Sequence, residues 1–260
     1  MERIRIPVFL MCLGALFFTT GMYAQESGTS DSKVSFDFGA DLMSRYVWRG
    51  TQFGGTSPSL QPGLSVGIAG LEIGAWGAYS LGGNNTDQEF DLYLSYTFLN
   101  DLLSITVTDY FFPEEGADYN YTQWNKDETG HLLEGTISFN GNENLPIRFM
   151  AAFNFYGNDA ITLNGDGTKK GIQYSNYFET GFTFNANNIS CDAFLGGTLS
   201  SPDEDLNETG FYGTGPGIVN LGFTASKEIE ITDSYSLPIT ASVITNPQAG
   251  KVFFVFGFSF

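Results

Sequence analysis

The chain has 260 residues with 29 acidic and 11 basic side chains, a formal net charge of −18 that argues against nucleic acid as a partner. After residue 24 no apolar run reaches the ~18 residues that a membrane helix needs, which excludes helical membrane spans. The high content of aromatic residues (16%) and the 32 glycines instead suit an all-β protein.

Residues 1–24 are predicted to be a secretory signal peptide. Arg3 and Arg5 precede an apolar stretch over residues 8–18, which is too short to cross a bilayer as a helix. Cleavage is expected after Ala24 and would leave a short periplasmic segment, residues 25–33, before one domain, residues 34–260. Cys191 is then the one cysteine left, so no intramolecular disulfide can form.

The first strand is predicted from Val34 to Arg49 by alternation at period two. Even positions carry mostly apolar or aromatic side chains, such as Phe36, whereas several odd positions carry charges. Successive side chains of a strand point to opposite faces, so one face can contact lipid while the other stays wet. Tyr46 and Trp48, near the strand end, are therefore predicted to point outward into an interfacial aromatic girdle, together with Tyr79 and Tyr96.

Ten further amphipathic segments follow. Most of them are close in length to the roughly 9–11 residues that a tilted strand needs to cross a membrane. They span residues 60–68, 71–81, 89–99, 102–112, 131–139, 147–156, 172–184, 189–199, 218–226 and 237–244. Short connections such as 69–70 alternate with long ones such as 113–130, as expected for periplasmic turns opposite external loops. The connection 227–236 breaks this rule and is expected to extend the strands beside it.

The final strand, residues 251–260, ends the chain on the same pattern. Val252, Phe254, Phe256, Phe258 and Phe260 share one face. Bacterial outer-membrane barrels commonly end in an aromatic residue that the barrel assembly machinery recognises, so Phe260 is predicted to be an assembly signal. The pattern as a whole predicts an antiparallel up-and-down transmembrane β-barrel of about twelve strands in the bacterial outer membrane, with both termini periplasmic.

Two stretches also resemble a known family. They are Ser44-Arg45-Tyr46-Val47-Trp48-Arg49-Gly50, followed by Ser57-Pro58-Ser59-Leu60-Gln61-Pro62, and the end Leu237-Pro238-Ile239-Thr240-Ala241-Ser242-Val243 with Lys251-Val252-Phe253-Phe254. They are similar to the TorF-type porin family, an uncharacterised group of Gram-negative outer-membrane β-barrels. The resemblance implies an envelope barrel with presumed channel function and brings no substrate and no catalytic residues.

The strand face opposite the lipid would line the lumen. Alternation places these residues there: Asp37, Asp41, Arg45, Arg49, Glu72, Trp76, Glu89, Asp91, Tyr93, Tyr110, Glu134, Arg148, Tyr156, Tyr177, Glu179, Asp192 and Lys251, with Phe194 beside them. Acidic residues in this set outnumber basic ones, and a carboxylate-rich lumen favours cations. The same charges could instead pair with one another and close the lumen.

These features predict a porin-like channel for passive diffusion of small cationic or neutral solutes. The channel should be narrow, because about twelve strands enclose less space than the roughly 16–18 strands of general porins. No enzymatic activity, cofactor or metal is expected, and the expected partners are outer-membrane lipid, the assembly machinery and small solutes. The oligomeric state is open, and the alternative is a non-conducting structural or ligand-binding barrel that acts through its external loops.

A remote alternative is a hydrolase at the barrel rim that uses His131, the one histidine of the chain. No motif ties a serine to it, and a histidine at the start of a strand is usually solvated. Asp203, Asp205 and Asn207 alternate in an acidic loop and raise the question of divalent-ion binding. Because the loop lacks full calcium-loop spacing, it is predicted to be solvated.

Overall fold

The computed structural model describes residues 34–82, 88–113 and 120–260, so the predicted signal peptide and periplasmic segment lie outside the described residues. The strands are β1 Val34–Met43, β2 Tyr46–Trp48, β3 Thr51–Phe53, β4 Ser59–Ile68, β5 Leu71–Ser80, β6 Gln88–Phe98, β7 Leu103–Phe111, β8 His131–Phe139, β9 Ile147–Gly157, β10 Ile161–Leu163, β11 Lys169–Ile172, β12 Asn176–Ala186, β13 Ile189–Thr198, β14 Gly217–Thr232, β15 Tyr235–Asn246 and β16 Lys251–Ser259. A 3₁₀ turn, Glu204–Leu206, lies in the loop before β14. Within the described residues, no helix has the length and apolarity needed to cross a membrane.

Twelve of these strands form one closed antiparallel barrel, in the order β1-β16-β15-β14-β13-β12-β9-β8-β7-β6-β5-β4. The predicted all-β barrel of about twelve strands is thus confirmed. The barrel closes where β1 meets β16, with Leu42 opposite Phe258, and the backbone of Phe260 exchanges two further hydrogen bonds with Ala40. As expected for the connection 227–236, β14 and β15 extend through it to a tight turn.

The two faces of the barrel wall differ in chemistry as period-two alternation requires. The outward face is a belt of exposed aliphatic and aromatic side chains, with Phe38 at 75% and Phe254 at 66% exposure. Single exposed apolar residues are ordinary on soluble proteins, but a belt contributed by all twelve strands is typical of a barrel that meets lipid. The inward face carries hydroxyl, carboxylate, arginine and tyrosine side chains.

Inward-facing glycines make room for the long side chains of neighbouring strands. Tyr93 lies across Gly74, Arg148 across Gly181 and Phe194 across Gly222, each glycine being the paired residue on the next strand. A side chain on such a glycine would occupy the space of its neighbour. The glycines therefore let large groups lie flat against the wall inside a small barrel.

We expect Gly222→Val to destabilise the barrel by about 1–3 kcal/mol, because the new side chain overlaps the ring of Phe194. The measurement is the urea midpoint of the folded barrel in detergent. Gly135→Ala serves as the control, since its added carbon would meet the Phe155 ring at an ordinary 3.8 Å. Equal midpoints for the two variants would show that the lumen has no such packing constraint.

The chain leaves the barrel wall earlier than the sequence pattern predicts. Strand β1 ends at Met43, and Ser44 caps it by donating its N–H to the Phe256 carbonyl at 2.7 Å. The chain then turns into the lumen and forms a short hairpin of β2 and β3. The outward positions predicted for Tyr46 and Trp48 are therefore wrong: both are buried inside the barrel, at 5% and 2% exposure.

Candidate functional site: a hairpin inserted into the lumen

The hairpin Tyr46–Phe53, here called the plug hairpin, turns through two residues, Arg49 and Gly50. Both have positive φ, 47° and 77°, as the tight turn favoured between antiparallel strands requires. The turn lies against strand β14, where the Gly50 α-carbon directly faces the Val219 carbonyl oxygen. Asn246 holds it from another side by donating its amide to the Gly50 carbonyl at 3.2 Å. The tip of the hairpin is thus fixed inside the barrel.

Arg49, at the tip, forms a buried ion pair with Glu134 of the barrel wall. Its two terminal nitrogens each contact one carboxylate oxygen, with Nη2 2.9 Å from Oε1. Glu134 also accepts hydrogen bonds from Tyr110 at 3.1 Å, Tyr212 at 2.8 Å and Thr136 at 3.0 Å. A bidentate arginine–carboxylate pair with this many donors is the well-satisfied form of a buried ion pair.

Aromatic rings surround this ion pair. The Arg49 guanidinium carbon lies 4.4 Å from the centre of the Trp48 ring and 4.6 Å from that of Tyr177. Trp48 also contacts Tyr110 and Tyr212, at centroid distances of 5.4 and 5.9 Å. Since Tyr212 comes from the loop between β13 and β14, two separate segments from the long-loop end meet in the lumen. Packed side chains occupy the lumen at this level.

A second charged cluster consists of wall residues alone and touches the plug hairpin only where Arg49 lies over the Tyr177 ring. Arg148 pairs with both carboxylate oxygens of Asp192, one of them at 2.9 Å, and lies 3.5 Å from Glu179. Glu179 in turn accepts hydrogen bonds from Tyr177 at 2.5 Å and from Asn220 at 3.0 Å. The lumen acids of this cluster are therefore neutralised by a neighbouring arginine and by neutral donors.

A cavity of about 150 Å³ lies between the plug hairpin and the opposite part of the lumen. Its walls carry Asp41, Gln61, Phe194 and a set of hydroxyl groups from Thr106, Thr108, Thr136, Ser190, Thr224, Ser226, Thr240 and Ser242. Hydroxyl and carboxylate groups of this kind can replace part of the hydration shell of a small polar solute. The space is too small for a large solute without movement of the walls.

The structure brings many of the predicted lumen residues together and separates others. Around the cavity lie Asp41, Arg45, Arg49, Trp76, Glu134, Tyr177, Glu179 and Asp192. Glu89, Asp91, Tyr93, Tyr110 and Arg148 are buried elsewhere in the lumen, and Glu72 accepts a hydrogen bond from Tyr93 at 2.6 Å. The remaining predicted residues lie apart: Asp37 is half-buried towards the start of β1, Tyr156 contacts the Trp124 carbonyl at the rim, and Lys251 is exposed at the start of β16.

The sequence reasoning missed two parts of this site. The sequence pattern placed Arg49 on the barrel wall, whereas the structure places it on the inserted turn between β2 and β3. The available signal was the Arg-Gly pair between Tyr46-Val47-Trp48 and Thr51-Gln52-Phe53, because a glycine can adopt the positive φ of a two-residue hairpin turn. Tyr212 was missed altogether, because nothing local in its loop indicates a partner 78 positions earlier in the chain.

His131 is not solvated, contrary to the prediction from its place at a strand start. It points to the outer face of β8 and is fully buried under residues 120–130. Its Nδ1 lies 2.9 Å from an Asp109 oxygen, its Nε2 lies 2.7 Å from the Tyr121 carbonyl, and its ring stacks on Trp124 at 3.9 Å. With both ring nitrogens engaged, this arrangement favours a clasp that holds the loop to the barrel over the remote hydrolase alternative.

The acidic loops make local hydrogen bonds. The Glu208 carboxylate accepts the backbone N–H groups of Leu163 and Asp203, at 2.7 and 3.0 Å, which lowers its pKa. Asp203 caps the 3₁₀ turn by accepting the N–H of Asp205. In the parts of the chain that the structure describes, no three or more His, Cys, Asp or Glu side chains are grouped so as to hold a metal ion.

No curated protein matches this chain. A family model described as a bacterial protein of unknown function, Gcw_chp, matches residues 26–196, from the segment before β1 into β13. The match covers more than half of the sequence, including the plug hairpin and Glu134. The chain therefore belongs to the Gcw_chp family of bacterial proteins.

Proposed function

We propose that this protein is an outer-membrane channel for small cationic or neutral solutes, whose lumen is closed at rest by the plug hairpin. An outer-membrane location is supported by the apolar outward belt and by the contrast between short turns at one barrel end and long loops at the other. The resemblance to TorF-type porins points the same way. On this proposal the short turns and both termini face the periplasm.

The buried Arg49–Glu134 pair is the observation that carries the proposal. If the lumen only had to be packed, apolar side chains would do so at lower cost. Burying two charges costs roughly several kcal/mol of desolvation free energy. Here the charge is placed on the tip of a hairpin that enters from the loops. An ion pair between an inserted segment and the wall can separate once water reaches it, which suits a gate better than a permanent filler.

The charge around the cavity supports a preference for cations. The four carboxylates at its walls, Asp41, Glu134, Glu179 and Asp192, exceed by one the three arginines beside them, Arg45, Arg49 and the Arg148 that pairs with Asp192. In a narrow lumen with low-dielectric walls such an excess attracts cations and repels anions.

The alternative is a barrel that never conducts and binds a partner through its loops. The dense packing around Trp48 and Arg49 favours it, since a sealed lumen needs no gate. The two functions differ in whether the hairpin leaves the lumen while the barrel stays folded.

A planar-bilayer recording of the purified full chain tests the proposal. We expect brief and infrequent openings of small conductance in potassium chloride, because the closed state dominates. With a salt gradient, the reversal potential should show a preference for cations. If folded protein inserts into the bilayer but no openings are seen under any voltage, the channel proposal is wrong. An anion preference would mean that Arg45 and Arg49 dominate the constriction.

A further inference from the structure

Two carboxylates of the lumen differ from all the others described above. Glu89 and Asp91 both point inward from β6 and are buried, at 2% and 1% exposure. None of their four oxygens has a hydrogen bond of normal geometry among the described residues, although the Tyr46 hydroxyl lies near Glu89, the Phe111 backbone lies near Asp91 and the two carboxyl groups face each other. By contrast, Glu134 is bonded by an arginine and three hydroxyls, and Glu179 by Arg148, Tyr177 and Asn220.

Arg49 makes no hydrogen bond or ion pair with these two groups, although its positive charge favours the Glu89 carboxylate from a distance. Both terminal nitrogens of Arg49 donate to Glu134. Its guanidinium also donates to the Tyr212 hydroxyl at 2.5 Å and stacks on Trp48. A buried carboxylate without a donor or counter-charge is among the most costly groups in a folded protein. The pair therefore needs a positive partner, which must be either protons or a bound cation.

A third oxygen reaches the same place from the plug hairpin. The Tyr46 hydroxyl faces Glu89 and Asp91, is fully enclosed, and likewise has no hydrogen-bond partner of normal geometry among the described residues. Its ring packs on Trp76, 5.5 Å away, and Trp76 pairs with Asp91 across β5 and β6. Hard cations prefer oxygen donors, above all carboxylates, and this group of side chains offers two carboxylates and one phenol oxygen with no sulfur or ring nitrogen.

We propose that Glu89, Asp91 and the Tyr46 hydroxyl bind a divalent hard cation, of the Ca²⁺ or Mg²⁺ class, between strand β6 and the plug hairpin. The double negative charge of the two carboxylates matches a divalent ion. Because Tyr46 belongs to the hairpin, the site is complete only while the hairpin is inserted. The ion thus binds the closed state more tightly than the open one and stabilises closure by linkage. This second consequence rests on the proposed gate, whereas binding itself does not.

Binding is tested on the refolded full chain in detergent after chelator treatment, with Tb³⁺ as the probe and competition by Ca²⁺ and Mg²⁺. Trp76 lies beside the site, so terbium emission excited through tryptophan is expected on binding. Glu89→Gln and Asp91→Asn should each weaken binding by about tenfold or more, because each removes one ligand charge. Tyr46→Phe should have a smaller effect. All variants must first show the folded barrel by circular dichroism.

The matched control is Asp203→Asn with Asp205→Asn, which removes two exposed carboxylates and should leave the tryptophan-sensitised signal unchanged. If the wild type shows no sensitised signal, or if Glu89→Gln with Asp91→Asn binds as tightly as the wild type, the site is wrong and protons neutralise the pair. In bilayers, Ca²⁺ should reduce openings of the wild type and not of this double variant. A protein that binds Tb³⁺ at this site yet never conducts would contradict the gate and leave the site standing.

Discussion

Replacing Arg49 with alanine is expected to turn a mostly closed barrel into a mostly open one. The change leaves Glu134 buried without its counter-charge, and breaking a buried ion pair in this way costs about 3–5 kcal/mol. Water must then reach Glu134, and the simplest route is withdrawal of the plug hairpin from the lumen. The measurement is the open fraction in single-channel recordings, alongside the urea midpoint of the barrel.

Arg45→Ala is the matched control for this experiment. Arg45 lies beside the same cavity and carries the same charge, but its hydrogen bond goes to Gln52 within the plug hairpin, at 3.1 Å. Its removal makes the lumen more acidic without breaking the contact between hairpin and wall. We therefore expect a stronger cation preference and little change in open fraction. Equal open fractions for the two variants would show that lumen charge, and not the ion pair, controls conduction.

Gly50→Ala is expected to displace the plug hairpin from the lumen through a steric clash, without any change of charge. An added methyl group would overlap the backbone carbonyl of Val219, which cannot move without distorting β14, and the residue would also keep a positive φ. Together these costs are about 2 kcal/mol, which shifts the balance of closed and open states roughly thirtyfold. Single-channel open fraction is again the measurement, with all charges unchanged from the wild type.

Two other glycines separate the causes of this effect. Gly167 has nearly the same positive φ, 79°, but faces open space, so Gly167→Ala carries the backbone strain without the overlap. Gly82 faces open space and has no such φ, so Gly82→Ala carries neither. Neither variant should open the channel. If Gly167→Ala opened it as much as Gly50→Ala, the position of the hairpin in the lumen would not be what closes the barrel.

The barrel wall was predictable from the sequence because a strand with one apolar face and one polar face must alternate. The run Phe90, Leu92, Leu94 against Glu89, Asp91 and Tyr93 identifies both faces of β6 without any other information. The same reasoning found most of the lumen charges. Their pairing was not predictable, since Arg49 and Glu134 are 85 positions apart and meet through a hairpin, not through neighbouring strands.

The position of the plug hairpin inside the lumen could not be predicted in the same way, for a physical reason. Tyr46 and Trp48 continue the apolar period of β1, and an apolar side chain fits lipid and a packed barrel interior equally well. Alternation indicates which residues avoid water. It does not indicate whether they contact lipid or the packed interior of the barrel. The burial of His131 under Trp124 was hidden likewise, because it depends on where a long loop folds back.

Removing the plug hairpin tests the central claim most directly. In this variant residues 46–53 are replaced by a short glycine-serine linker between Arg45 and Gly54, with the barrel strands intact, and its single-channel conductance is compared with that of the wild type. We predict steady, long-lived openings with a cation preference, against brief and rare openings of the wild type. A folded, membrane-inserted variant that conducts no more than the wild type would contradict the account, because the hairpin would then not be what closes the lumen.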